Sequence, residues 1–100
     1  MRASECGVVN NEDIPGIYGG THWVAYYNDP KYRTVEFFDS FGLPPAQEIE
    51  SYLASSNKVI EYNASQIQDK NSVLCGHFCI YYIKERNKGK SPAEIINSLM

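Results

Sequence analysis

No stretch of this 100-residue chain gathers Lys and Arg into a patch: nine basic residues face twelve acidic ones, for a formal charge of −3. With a pI of about 5.3, the electrostatic footprint of a nucleic-acid binder is missing, and nucleic acid is not an expected partner. The densest basic run, Lys84–Lys90, reads as a helix end and a turn, where positive charge suits the helix dipole. No apolar run approaches the ~20 residues of a membrane span, so no membrane partner is expected. The opening residues carry no signal-peptide pattern, and three cysteines cannot all pair with one another. Free thiols in a reducing, intracellular compartment (cytoplasmic or nuclear) are therefore the expectation. No second Cys/His pair accompanies Cys75-x-His77-x-Cys79, whose members point in different directions on one helix, so a zinc site is not expected. Cys75 and Cys79 are also spaced too widely for a Cys-x-x-Cys redox pair. Neither metal nor cofactor is expected.

What the chain has is aromatic mass: thirteen residues, eight of them Tyr. They supply large buried areas to a domain otherwise too short for a thick core. One domain over 1–100 is expected, with 1–20 a weakly structured lead-in in which Cys6–Val9 reads as a short strand. His22–Asn28 and Arg33–Asp39 are β-branched and aromatic, and Asp29-Pro30-Lys31-Tyr32 between them has turn chemistry. Together they predict an antiparallel hairpin. A helix is expected from Pro44 or Pro45 to Ser55, a third strand at Lys58–Tyr62, and a polar loop at Asn63–Asn71. Ser72 caps a helix over Val73–Arg86 that is apolar on most sides, and Ser91-Pro92-Ala93-Glu94 opens a last helix with a capping box. The fold class is α+β: a small antiparallel sheet packed on a central helix.

The hairpin carries chemistry. With its turn centred on Pro30-Lys31, Val24 opposes Phe37, Tyr26 opposes Val35 and His22 opposes Asp39, all on one face. Opposed Cβ atoms lie ~4.5–5.5 Å apart, so an imidazole stands beside a carboxylate at the edge of an apolar surface. The central helix is expected on that surface, with Cys75 in its first turn. A helix N-terminus and a neighbouring imidazolium favour the reactive thiolate. The carboxylate fixes the imidazole tautomer. Attack on an acyl carbon needs oxyanion donors, for which the Cys75 N–H and the Gln68 side-chain amide are candidates. Each residue alone has a plain structural explanation: a buried Cys as a small hydrophobe, a His beside an Asp as a satisfied pair.

Gly20-Thr21-His22-Trp23, Phe38-Asp39-Ser40-Phe41-Gly42 and Gln68-Asp69-Lys70-Asn71-Ser72-Val73-Leu74-Cys75-Gly76-His77-Phe78-Cys79 resemble, at the same mutual spacings, the adenovirus endopeptidase (adenain-like) family of cysteine proteases. More distantly they are similar to the ubiquitin-like-protein proteases of the same clan. The resemblance covers roughly residues 19–82 and implies a papain-like or adenain-like fold, with His22 as base, Asp39 as orienter (Glu in the adenoviral enzymes), Cys75 as nucleophile and Gln68 as oxyanion donor. Gln66 competes for the last role; the spacing to Cys75 matches the family at Gln68. The resemblance makes Trp23 a wall of the groove that holds a substrate's glycines, with Gly76 beside the nucleophile; a core Trp is the alternative.

Resemblance further implies a thiol protease that cuts peptide or isopeptide bonds after glycine through a thioester, acting on a polypeptide partner without a cofactor. A viral or mobile-element origin fits, and with it a place in the virion. Family members are about twice as long and carry an N-terminal helical region before the His-Trp strand, which this chain is expected to lack. The position matching the family's disulfide-linked activating peptide is Asn57, so no such link is expected. The rival expectation is a catalytically incomplete protease fragment persisting as a binding module or remnant.

Overall fold

The computed structural model describes residues 1–10, 22–63, 66–67 and 75–100. They form β1 (Glu5–Asn10), β2 (Trp23–Asn28), β3 (Thr34–Phe38), α1 (Gln47–Ala54), β4 (Val59–Tyr62), α2 (Cys75–Asn87) and α3 (Pro92–Leu99). The strands make one sheet in the order β1-β2-β3-β4. The α+β architecture is as expected, with a mixed rather than wholly antiparallel sheet: β1, β2 and β3 run antiparallel, and β4 joins β3 in parallel after the α1 crossover. The short strand expected at Cys6–Val9 is the edge strand β1.

The hairpin forms in a different register from the expected one. Tyr26 opposes Phe37, and Ala25 opposes Phe38. The turn itself sits where Pro30 predicts, with Tyr32 N–H donating to the Asp29 carbonyl at 3.0 Å and Lys31 N–H to Asp29 Oδ1 at 2.9 Å. Tyr32 and Arg33 are spent in the loop before pairing resumes, which slides the partners by two residues. An even slip leaves the side-chain faces unchanged, but the face is not the one α2 covers. Val24, Val35 and Phe37 pack with Leu53 of α1. Ala25, Tyr27 and Phe38, on the opposite face, pack with Cys79 and Tyr82 of α2 and Ile95 of α3. The expectation that α2 sits on the Val24–Phe37 face is thereby corrected: both faces are apolar, and the sheet is covered on both.

Each helix end has a local cause. Asn57 closes α1 with φ 62°, a left-handed conformation that Asn tolerates. Gly89 follows α2 with φ 96°. Ser91 and Glu94 make the expected reciprocal capping box ahead of α3. At its C-terminal end α2 is fastened to the sheet by a buried fork. Arg86 Nε and Nη2 donate to the two carboxylate oxygens of Glu36 at 2.8 and 2.7 Å. Tyr82 donates to Glu36 Oε1 at 2.6 Å. The guanidinium also lies 4.7 and 4.8 Å from the ring centroids of Tyr27 and Tyr32. Among the described residues no helix is long and apolar enough to cross a membrane.

Candidate active site

His22 precedes the first residue of β2 and Asp39 follows the last of β3. Both lie beyond the paired part of the hairpin, yet their side chains meet: His22 Nε2 and Asp39 Oδ1 are 2.8 Å apart, with both residues buried. The expected imidazole–carboxylate pair is present, made at the strand ends and not by directly opposed residues.

A compact turn holds the carboxylate. Asp39 Oδ1 accepts the backbone N–H of Phe41 at 2.8 Å, and the Asp39 carbonyl accepts that of Gly42, also at 2.8 Å. Gly42 has φ 75°, which a Cβ-bearing residue adopts poorly. An Asp at the start of a turn with Gly three residues on is a readable signature of this geometry. From the other side Asn63, just past β4, clamps the Asp39 backbone: its Oδ1 accepts the Asp39 N–H at 3.1 Å and its Nδ2 donates to the Asp39 carbonyl at 2.7 Å. The Phe41 ring lies 4.6 Å from the imidazole, centroid to centroid. Sequence reasoning missed Phe41 and Asn63 as supports. Phe41 was legible from the turn; nothing in the sequence points to Asn63, whose partner is distant along the chain.

Cys75 is the first residue of α2 and its side chain is buried. Its Sγ accepts the backbone N–H of Trp23, the neighbour of His22, at 3.4 Å. One turn along, Cys79 donates its S–H to the Trp23 carbonyl at 3.2 Å. Burial, with the nearby Cys75 and Asp39 charges, pushes the Cys79 thiol far above the ordinary thiol range. Cys6 is exposed on the edge strand. The structure thus places the Cys75 sulfur on the main-chain N–H of Trp23, the residue after His22.

Trp23 is not a core residue. It is 36% exposed, and its ring covers Gly76, where an added Cβ would meet Trp23 Cδ1 at 3.6 Å. Trp23, Gly76, Val8, His77 and Ile80 line an apolar groove of about 470 Å³ along the start of α2. Gln68 lies outside the described residues. Gln66 is described and exposed, and the Ile67 N–H after it donates to the Ser40 carbonyl at 2.8 Å, tying this segment to the turn beside Asp39. Among the described residues no cluster of His, Cys, Asp or Glu is arranged to hold a metal.

A family model described as adenovirus endoprotease matches residues 1–93. The chain is similar to the protease of human adenovirus B serotype 3, 28% identical over 92 residues, which covers 78% of this chain and 43% of that protein. It is similarly related to the protease of porcine adenovirus A serotype 3, 28% identical over 93 residues, covering 78% and 45% of the two. In fold it resembles the crystal structure of the selenomethionine ASFV pS273R protease. The TM-score is 0.77 at 22% identity, over 94% of this chain and 38% of that one. The chain spans less than half the length of the curated relatives it matches.

Proposed function

This chain belongs to the adenovirus endoprotease family, and on that footing we propose that it is a cysteine endopeptidase working through Cys75, His22, Asp39 and Gln68. The observation that carries the reading is the buried His22–Asp39 pair at 2.8 Å, with the thiol that starts α2 bonded to the N–H of Trp23, the residue after His22.

In this mechanism His22 takes the Cys75 proton, and the thiolate attacks the carbonyl carbon of the scissile bond. Negative charge gathers on the carbonyl oxygen and is met by the Cys75 N–H and the Gln68 side-chain amide. His22 gives its proton to the leaving amine, a thioester remains on Cys75, and water, activated by the same imidazole, hydrolyses it. Asp39 keeps the Nε2 side of the imidazole as donor and stabilises its cationic form between these steps. No cofactor enters.

The substrate is a polypeptide cut after glycine. The support is the resemblance in the His22-Trp23 motif, together with an indole that lies over Gly76. Asn57 stands where the family's activating peptide is attached by disulfide, so activation by that link is not part of the proposal. One domain carries the whole constellation, in an intracellular or virion setting.

The test is turnover of a peptide library by the purified protein, with Cys75→Ala as control. Cleavage after Leu-x-Gly-Gly-like sequences, abolished in Cys75→Ala, supports the reading. Preference for a bulky residue at the cleaved position refutes the Trp23 assignment. Absence of any turnover, with Cys75 no more reactive than Cys6 toward iodoacetamide near pH 6, refutes the enzyme and leaves a binding module.

A further inference from the structure

Two sulfurs of α2 grip the main chain of a single residue. Cys75 Sγ takes the N–H of Trp23 at 3.4 Å, and Cys79, fully buried one turn later, gives its S–H to the carbonyl of the same residue at 3.2 Å. Trp23 is therefore fixed at both of its polar main-chain atoms by a helix that begins with the proposed nucleophile. A thiol is a weak donor, so its use at a main-chain carbonyl calls for an account: a small aliphatic residue would fill the space but offer that carbonyl no donor. Burial raises the Cys79 thiol well above the ordinary thiol range, which favours its protonated, donating form.

An N–H aimed at a sulfur stabilises the charged form of that sulfur. The aim of the Trp23 N–H depends on how residue 23 is held, and the carbonyl is the only other main-chain handle that α2 has on it. We propose that Cys79 is a positioning residue: its S–H, bound to the Trp23 carbonyl, keeps the Trp23 N–H on Cys75 Sγ and so holds that sulfur in place for attack. The inference rests on the reading of Cys75 as nucleophile and adds Cys79 and the Trp23 backbone to the machinery. Among the described residues, the titratable groups around the two sulfurs are His22 ahead of β2 and Asp39 after β3, paired with each other at 2.8 Å, and Tyr27 and Tyr82, which pack in one cluster with Cys79. His77 shares their helix but is exposed.

The test compares Cys79→Ser, Cys79→Ala and Cys79→Val in a Cys6→Ser background. The readouts are the rate of Cys75 alkylation by iodoacetamide at neutral pH, the position of the Trp23 amide resonance, and thermal melting. Serine keeps a donor, whereas alanine and valine do not. The expectation is that Cys79→Val and Cys79→Ala slow alkylation about tenfold, the worth of one hydrogen bond to a charged acceptor. Both should shift the Trp23 amide resonance. Cys79→Ser should stay within about threefold of the parent with that resonance in place. Should valine lower the melting temperature to the assay temperature, alanine, which adds no volume, carries the comparison. Parent-like alkylation in Cys79→Ala, or equal slowing in Cys79→Ser, overturns the inference while leaving Cys75 as nucleophile. A parent Cys75 that reacts no faster than Cys6 in the unsubstituted protein refutes the nucleophile reading itself.

Discussion

Replacing Asp39 by Asn separates the charge of the carboxylate from its shape. Its Oδ1 receives two donors at 2.8 Å, His22 Nε2 and the Phe41 N–H, in a site with no exposure. An amide in the same place has a choice of orientation. Turning its NH₂ toward that point sets a donor against two donors, one of them a main-chain N–H that cannot turn away. The amide oxygen therefore takes the Oδ1 position, and His22 keeps an acceptor at Nε2. What is lost is the difference between a charged and a neutral acceptor, about 1–1.5 kcal/mol, or roughly tenfold in rate. Asp39→Ala is a different perturbation: it takes the Oδ1 acceptor away from two buried donors, at about 1–3 kcal/mol each. That amounts to a fall in melting temperature of at least ~8 °C at about 4–8 °C per kcal/mol for a domain of this size. The assay is kcat/KM on a glycine-containing fluorogenic peptide, beside thermal melting of the same preparations. Asp39→Asn sets its NH₂ at the Oδ2 position, buried and without a partner among the described residues, so it should melt below the parent by roughly 4 °C or more and lose about tenfold in kcat/KM; Asp39→Ala should lose stability and nearly all activity. If Asp39→Asn instead loses on the order of 10⁴-fold, the imidazole is held in the wrong tautomer. The claim that Phe41 N–H orients this side chain then fails.

Gln68→Ala should leave stability within about 0.5 kcal/mol and lower kcat by roughly 10²–10³-fold; the same loss in Gln66→Ala, with Gln68→Ala normal, would move the oxyanion donor to Gln66. Glu5 accepts hydrogen bonds from Tyr26 and Tyr52 that hold its carboxyl down from an ordinary 4.5 to about 2. A depressed folded value gives stability that is fully present above about pH 4.5 and is lost as pH falls towards 2. Glu5→Gln should therefore flatten the acid limb of a melting-temperature profile across that window, and an unchanged limb would count against the cluster. Arg86→Ala strands the buried Glu36 carboxylate and should cost about 3–5 kcal/mol in denaturant unfolding. The double change Glu36→Gln, Arg86→Met should cost clearly less, and equal losses would mean that the ion pair itself stabilises the fold.

The hairpin, the capping box and the His22–Asp39 pair are legible in the sequence because each rests on near neighbours or on strand alternation. The register is less so: a turn centred on Pro30 is readable, but whether Tyr32 and Arg33 belong to strand or loop depends on packing, and the structure puts them in the loop. The face that α2 covers was not legible for a related reason. Val24, Val35 and Phe37 on one side and Ala25, Tyr27 and Phe38 on the other are alike in polarity, so alternation names no inside. The direction of β4 follows from a crossover through α1 that could have closed either way. Glu36 looks like the solvent-facing residue of an otherwise apolar strand; only the fold brings Arg86 over it. At the site, Cys75, His22 and Asp39 are readable as residue types at matching spacings. The Asn63 clamp and the Cys79–Trp23 bond are contacts between distant segments with no local signature.

The fork at Arg86 makes α2 a lever. Cys75 and Arg86 stand at opposite ends of the helix, about 16 Å apart along its axis at ~1.5 Å per residue. The far end is pinned by three residues outside the helix: Glu36, which takes bonds from Arg86 and Tyr82, and the rings of Tyr27 and Tyr32. Pivoting there by only about 3–4° carries the sulfur through about 1 Å, a displacement on the scale that costs ~10²-fold in a reaction dependent on alignment. Distance from the thiol is therefore a poor guide to which substitutions reach it. Changes at the Glu36–Arg86 fork act with the full length of the helix as mechanical advantage.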